Sequence, residues 1–235
     1  MKIVSFVRPF EERITTGALL GDGSEVLDFH AEAAGLPHPE ELLGWFDLEA
    51  PSLQEALALT RKLGRDQGLA GELREAGAVL PTAEVRLVAP VPRPGKVICI
   101  GLNYRDHAEE SGMEIPERPL VFSKFSSCVV GPEAEVVLPP GSEQVDYEAE
   151  LGVVIGRRAW RVSAGDALRH VLGYANVNDV SARDFQFADG QWQRGKSCDT
   201  FCPLGPFVAT ADEVADPHRL RIRLRLNGRT LQDSS

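Results

Sequence analysis

Apolar positions fall in short runs along the chain, and their rhythm changes near residue 90. Residues 1–8 form a mostly apolar stretch of strand length. Ala18-Leu19-Leu20 and Val26-Leu27 flank Gly21-Asp22-Gly23, which predicts a hairpin around that turn. Ser52-Leu53-Gln54-Glu55 has the spacing of a capping box, and Leu53, Leu57 and Ala58 continue with helical spacing. Ala89-Pro90-Val91-Pro92-Arg93-Pro94-Gly95 is a proline-rich joint. It predicts a small mixed domain over residues 1–90 and a second domain over 91–235.

The second region reads as many short strands. Residues 96–100, 120–125, 136–138, 148–155, 171–177, 206–210 and 220–226 all fit, with Gly, Pro and Asp between them. Only short helices fit the gaps, such as residues 164–169. This predicts an α+β, β-rich fold, a sandwich or barrel rather than a doubly wound sheet. Residues 221–226 alternate strictly and run into Asn227-Gly228, a strong hairpin signal. The returning strand has only residues 229–233 before an abrupt end, so the expectation is a fold whose C-terminal part is missing.

Composition narrows the function classes. A net charge of −10 argues against a duplex-binding surface, which needs a basic footprint, so no nucleic-acid partner is expected. No apolar run approaches the length of a membrane span. The first residues lack the basic start and long apolar stretch of a secretory signal, so a cytoplasmic enzyme is the expectation. The cysteines at 99, 128, 198 and 202 have no metal-ligand spacing and read as reduced core thiols.

Three features bear on chemistry. In Asp146-Tyr147-Glu148-Ala149-Glu150, strand periodicity puts the three carboxylates on one face, leading into the apolar run 151–155. Such a face is solvated, protonated, paired, or gathered around a hard cation such as Mg²⁺, Mn²⁺ or Ca²⁺. Asp179, at the end of the apolar strand 174–178, is a candidate further ligand. His107 and Glu110 lie three apart on a short predicted helix and share a face, either as an incidental surface pair or as a carboxylate-supported base. Residues 190–197 match G-x-x-x-x-G-K-S, but no strand precedes them and Cys202-Pro203-Leu204-Gly205-Pro206 forbids a long helix after them. An NTPase is therefore the weakest of the three readings.

Taken together, several segments carry a resemblance. They are Ile100-Gly101-Leu102-Asn103-Tyr104-Arg105-Asp106-His107, Pro119-Leu120-Val121-Phe122-Ser123-Lys124, residues 147–156, Asn178-Asp179-Val180-Ser181-Ala182-Arg183-Asp184, and residues 195–206. In order and spacing this part of the chain resembles the fumarylacetoacetate hydrolase superfamily, and most of all the group of domain-containing protein 2 and its bacterial relatives. The similarity runs over residues 91–235, and residues 1–90 are similar to the small variable domain of those proteins.

The resemblance implies a mixed β-sandwich or β-roll. It implies that Glu148, Glu150 and Asp179 hold Mg²⁺ or Mn²⁺, that His107 and Glu110 form a water-activating dyad on a lid, and that Lys196 is the pocket cation. Asp146 has no role in the family pattern. The chemistry implied is hydrolysis of a C–C bond in a small 2-oxo or 1,3-dicarbonyl acid, through an enolate held at the metal. The same site would serve an oxaloacetate keto–enol tautomerase or a decarboxylase. Family chains continue for some tens of residues past residue 235, which leaves a non-catalytic metal-binding remnant as a further reading. The resemblance also implies a homodimer.

Overall fold

The computed structural model describes residues 1–105, 112 and 114–235, and strands make up most of its regular structure. In chain order they are β1 (Lys2–Val7), β2 (Ile14–Leu20), β3 (Glu25–Asp28), β4 (Val79–Pro81), β5 (Arg86–Val88), β6 (Val97–Gly101), β7 (Leu120–Lys124) and β8 (Val129–Val130). There follow β9 (Val145–Asp146), β10 (Ala149–Ile155), β11 (Val171–Asn178), β12 (Ser181–Ala182), β13 (Cys202–Pro203), β14 (Val208–Thr210), β15 (Ile222–Leu226) and β16 (Arg229–Ser234). The longer helices are α1 (Pro51–Leu63) and α2 (Gln67–Glu75), and two short ones cover Arg183–Ala188 and Gln193–Lys196. The chain is thus α+β and β-rich, as its pattern predicts.

Strands β10-β11-β14-β1-β2-β3-β4 form one sheet in that order, with β5 pairing β1 beside β14. Along one edge of β1, Lys2 and Ile3 pair β14 while Ser5, Phe6 and Val7 pair β5. The chain divides into two compact units, and the division falls inside β10 and β11. The first unit contains residues 1–92, 152–175 and 205–215. Its interior includes Phe6, Phe29, Trp45 and Leu53, all fully buried. Each such side chain contributes about 1.5–3 kcal/mol on leaving water.

The second unit contains residues 93–151, 176–204 and 216–235. Its strands pair as ribbons: β6 with β7, β9 with β12 and β15 with β16 antiparallel, and β8 with β13 parallel. Its core holds Cys128, Val180, Ala182, Phe201 and Cys202, with Val97, Val145 and Phe185 packed around them. All four cysteines are free thiols. The β15–β16 hairpin turns through Asn227 and Gly228 at φ 49° and 78°. Both lie in the left-handed region that a two-residue hairpin turn requires.

Two local expectations do not hold. The capping box at Ser52 is not formed: α1 begins at Pro51 after Ala50, with no side-chain cap, and Ser52 is buried inside the first turn. Proline suits the first helical position because its φ is preset and an N–H there would be unpaired anyway. The strand expected at 136–138 is not formed either, and Val137 and Leu138 are exposed. The Val137 N–H donates instead to Thr200 Oγ1 at 2.8 Å, and Pro139-Pro140 offers no donors to extend a ladder.

Candidate active site

Hydrogen bonds from two main-chain N–H groups place the first two carboxylates. The Asp179 N–H, just past β11, donates to the Glu148 carbonyl at 2.8 Å. The Glu148 N–H donates to Asn178 Oδ1 at 3.1 Å. Residues 147 and 148 therefore leave the ladder between β9 and β10, and the expected unbroken strand is interrupted where Glu148 turns to Asn178 and Asp179. Glu150 lies two residues on, within β10.

Among the described residues three cations meet these groups. Lys196 Nζ donates to Glu148 Oε2 at 2.8 Å and to Asp179 Oδ2 at 2.9 Å. Lys124 Nζ donates to the other Asp179 oxygen, Oδ1, at 2.5 Å and to the Val180 carbonyl at 3.2 Å. Arg183 reaches Glu148 Oε1 at 2.6 Å through Nη1 and Asp146 Oδ2 at 2.8 Å through Nη2. The lysine side chains are 0% and 2% exposed and that of Asp179 is 5% exposed. Ions this deep persist only when paired, so Asp179 is the counter-charge that makes both lysines tolerable.

Asp146 is thus the partner of Arg183. Glu150 is different. Among the described residues its carboxylate has no cation within ion-pair distance, and Asn103 Nδ2 donates to its Oε2 at 3.0 Å. Burial pushes its pKa up to about 7 against the pull of the Asn103 bond, with Glu148 and Asp179 adding repulsion. Near it, burial pushes the Cys99 thiol up to about 12, which keeps it neutral and removes it as a nucleophile.

The donor set fits a hard divalent ion. Its oxygens are carboxylates, one lacks a counter-charge among the described residues, and an ammonium stands between the other two, which marks the place as one that stabilises positive charge. Among the described residues no three Asp, Glu, His or Cys side chains already stand close enough together to hold a metal ion, so the fit rests on the chemistry of the donors and not on a preformed cluster. The structure brings Glu148, Asp179 and Lys196 into direct contact and ties Glu150 to Asn103. His107 and Glu110 lie outside the described residues.

The G-x-x-x-x-G-K-S spacing has a packing cause. A Cβ on Gly195 would come within 2.6 Å of both the Ala182 carbonyl oxygen and the Gln186 main-chain nitrogen. Only glycine lets the turn Gln193–Lys196 lie against that backbone and deliver Lys196 to Asp179. The helix Arg183–Ala188 stands where a phosphate loop needs a strand. Gly195→Ala should lower unfolding stability by about 1–3 kcal/mol in urea titration, because two backbone atoms must move. Unchanged stability would show that the backbone yields freely there.

Lys124, Arg183 and Asn103 join the site although sequence reasoning assigned them no role. Lys124 carries the one usable signal, a lysine closing an apolar strand, since a charge at the core end of a strand needs a carboxylate.

The chain is similar to known proteins along its whole length. The family described as Fumarylacetoacetate (FAA) hydrolase C-terminal matches residues 96–235. The chain is 41% identical over 236 residues to "Oxaloacetate tautomerase Fahd2a, mitochondrial" of Rattus norvegicus, covering 100% of this chain and 71% of that protein. Among solved structures, 5-carboxymethyl-2-hydroxymuconate delta-isomerase from Mycobacterium smegmatis is 32% identical with a TM-score of 0.71, covering 100% of this chain and 75% of that one. Maleylpyruvate hydrolase from Sphingobium sp. SYK-6, in complex with manganese (II) ion and pyruvate, is 30% identical with a TM-score of 0.66, covering 100% and 76%. No helix among the described residues is long and apolar enough to cross a membrane.

Proposed function

The chain belongs to the fumarylacetoacetate hydrolase family of enzymes, and on that premise we propose that it is a divalent-metal-dependent keto–enol tautomerase of a small 2-oxo acid of the oxaloacetate kind. The observation that carries this reading is the buried cluster of Glu148 and Asp179 on Lys196, with Glu150 beside it lacking a counter-charge among the described residues. Glu148, Glu150 and Asp179 would hold Mg²⁺ or Mn²⁺, which supplies Lewis-acid polarisation of the substrate oxygens. Lys196 places a fixed positive charge where an oxygen gains negative charge as the α-proton leaves. Because its ammonium is already desolvated and oriented, little reorganisation accompanies that step. Lys124 and Arg183 hold Asp179 and Glu148 in position from their other oxygens. His107, supported by Glu110, is assigned the transfer of a proton between carbon and solvent.

Hydrolysis of a C–C bond is the second reading, favoured by the likeness to a maleylpyruvate hydrolase. There His107 with Glu110 would deprotonate water, and the enolate would be the leaving group. A homodimer is part of the proposal, and sedimentation velocity reads it.

The deciding assay follows the ultraviolet absorbance of enol-oxaloacetate and, in parallel, pyruvate release from acylpyruvates. Tautomerase action appears as Mg²⁺- or Mn²⁺-dependent decay of the enol without pyruvate release. Pyruvate and free acid from acylpyruvates, with no effect on the enol, would transfer the assignment to hydrolysis. Neither activity with either ion would end both readings.

A further inference from the structure

The face of the β6–β7 ribbon that turns to the site carries Cys99 and Gly101 opposite Phe122 and Leu120. Period-2 geometry puts these four on one side and Ile98, Ile100 and Val121, which are exposed, on the other. Trp192 lies on the first face. A Cβ on Gly101 would come within 2.8 Å of Trp192 Cζ3 and 3.1 Å of Leu120 Cδ2, so the indole occupies space that only a glycine leaves. Its ring meets Phe122 edge-on, with centroids 5.5 Å apart and planes at 64°. The Phe122 ring in turn has the Lys196 ammonium 5.1 Å from its centroid, within cation–π range. Trp192 also accepts the Lys196 N–H through its carbonyl at 3.1 Å.

We propose that Trp192 is a positioning residue for Lys196: seated on Gly101, it holds the Phe122 ring against the lysine ammonium and so sets where that charge stands during turnover. Lys196 has two carboxylate partners, but Glu148 and Asp179 are also the residues on which a divalent ion would draw. The aromatic contact does not compete with an ion. It is a restraint on the ammonium that would remain if Glu148 and Asp179 held an ion, and it depends on Trp192 because Phe122 is only half-buried. This inference rests on the proposed role of Lys196 as the cation that stabilises the enolate.

The test compares kcat, KM and divalent-ion Kd, the last by calorimetry with Mn²⁺ alone, for Trp192→Ala, Trp192→Phe, Gly101→Ala and the Gly101→Ala/Trp192→Ala double variant. Trp192→Ala should lower kcat about 10- to 100-fold through displacement of the charge, while KM and Kd stay within about threefold. Trp192→Phe keeps an aromatic edge for Phe122 and should recover most of kcat. Gly101→Ala pushes the indole from the opposite side and should lower kcat by itself, yet add little in the double variant, where the clashing ring is gone. A kcat within about twofold of the parent for both single alanine variants overturns the proposal, since so small a change leaves no displaced charge to explain. Parallel loss of kcat, Mn²⁺ affinity and melting temperature, unrescued by phenylalanine, also overturns it, because Trp192 is then only filler. If Trp192→Ala fails to fold, Gly101→Ala and Trp192→Leu carry the same comparison. Lys196→Ala in the same assay separates the two levels. Retained turnover there defeats the reading of Lys196, whereas lost turnover with unaffected Trp192 variants defeats this inference alone.

Discussion

Asp179→Asn should cost about 3–5 kcal/mol of unfolding free energy, the largest single effect on stability expected in the site. The amide fills the same volume but carries no charge, and it would leave the ammoniums of Lys124 and Lys196 buried with one shared counter-ion removed. Each was taken from water on the strength of that carboxylate, so the penalty is that of an uncompensated buried charge rather than of two lost hydrogen bonds. Urea titration at fixed pH measures it. Adding Lys124→Met to the same chain should recover part of the loss, since a paired ion replaced on both sides by groups of matched volume is often close to neutral. A loss below about 1 kcal/mol for Asp179→Asn would mean that water or Glu148 already screens the two lysines, as at exposed pairs.

Lys196→Ala should have the largest effect on turnover, lowering kcat by about 10²–10³-fold, the usual scale for removing one preorganised group that stabilises developing oxyanion charge. Metal affinity should respond in the opposite sense. The ammonium stands between Glu148 and Asp179, so its removal frees two oxygens for a divalent ion, and the Mn²⁺ Kd should hold or tighten. Loss of kcat together with a weakened Kd would instead make Lys196 a structural support of the ligand set. The same variant tests the phosphate-loop spacing: neither parent nor variant should show saturable ATP binding, because Lys196 is buried against carboxylates and Gly195 is explained by backbone packing.

Some of this architecture is written in local pattern. The apolar runs that became β1, β6, β7, β10 and β11, the turn between β2 and β3, and Asn227-Gly228 all act through nearest neighbours along the chain. A strand's period and a turn's φ requirement are properties of a few consecutive residues, so they can be read without knowing the partner. The same logic shows why two readings failed. Ser52 had the residues of a cap, but the helix started two positions earlier, with Pro51 as its first residue and Ala50 before it. Residues 136–138 had strand composition but found a side-chain hydroxyl instead of a neighbouring strand.

The site divides in the same way. Carboxylates at 146, 148 and 150 and a cation at 196 were visible as residue types, and the resemblance to a family attached roles to all of them but Asp146. Which charge meets which was decided by contacts between residues far apart in the chain. Asp146 and Glu148 share Arg183, Asp179 is shared by Lys196 and by Lys124, 55 residues away, and Glu150 is left to Asn103, 47 residues away. Composition and order of residues determined a β-rich chain with acidic and basic groups at defined positions. Only the tertiary structure decided their pairing. Desolvation and Coulomb attraction depend on distance and burial, and folding sets both without regard to separation along the sequence.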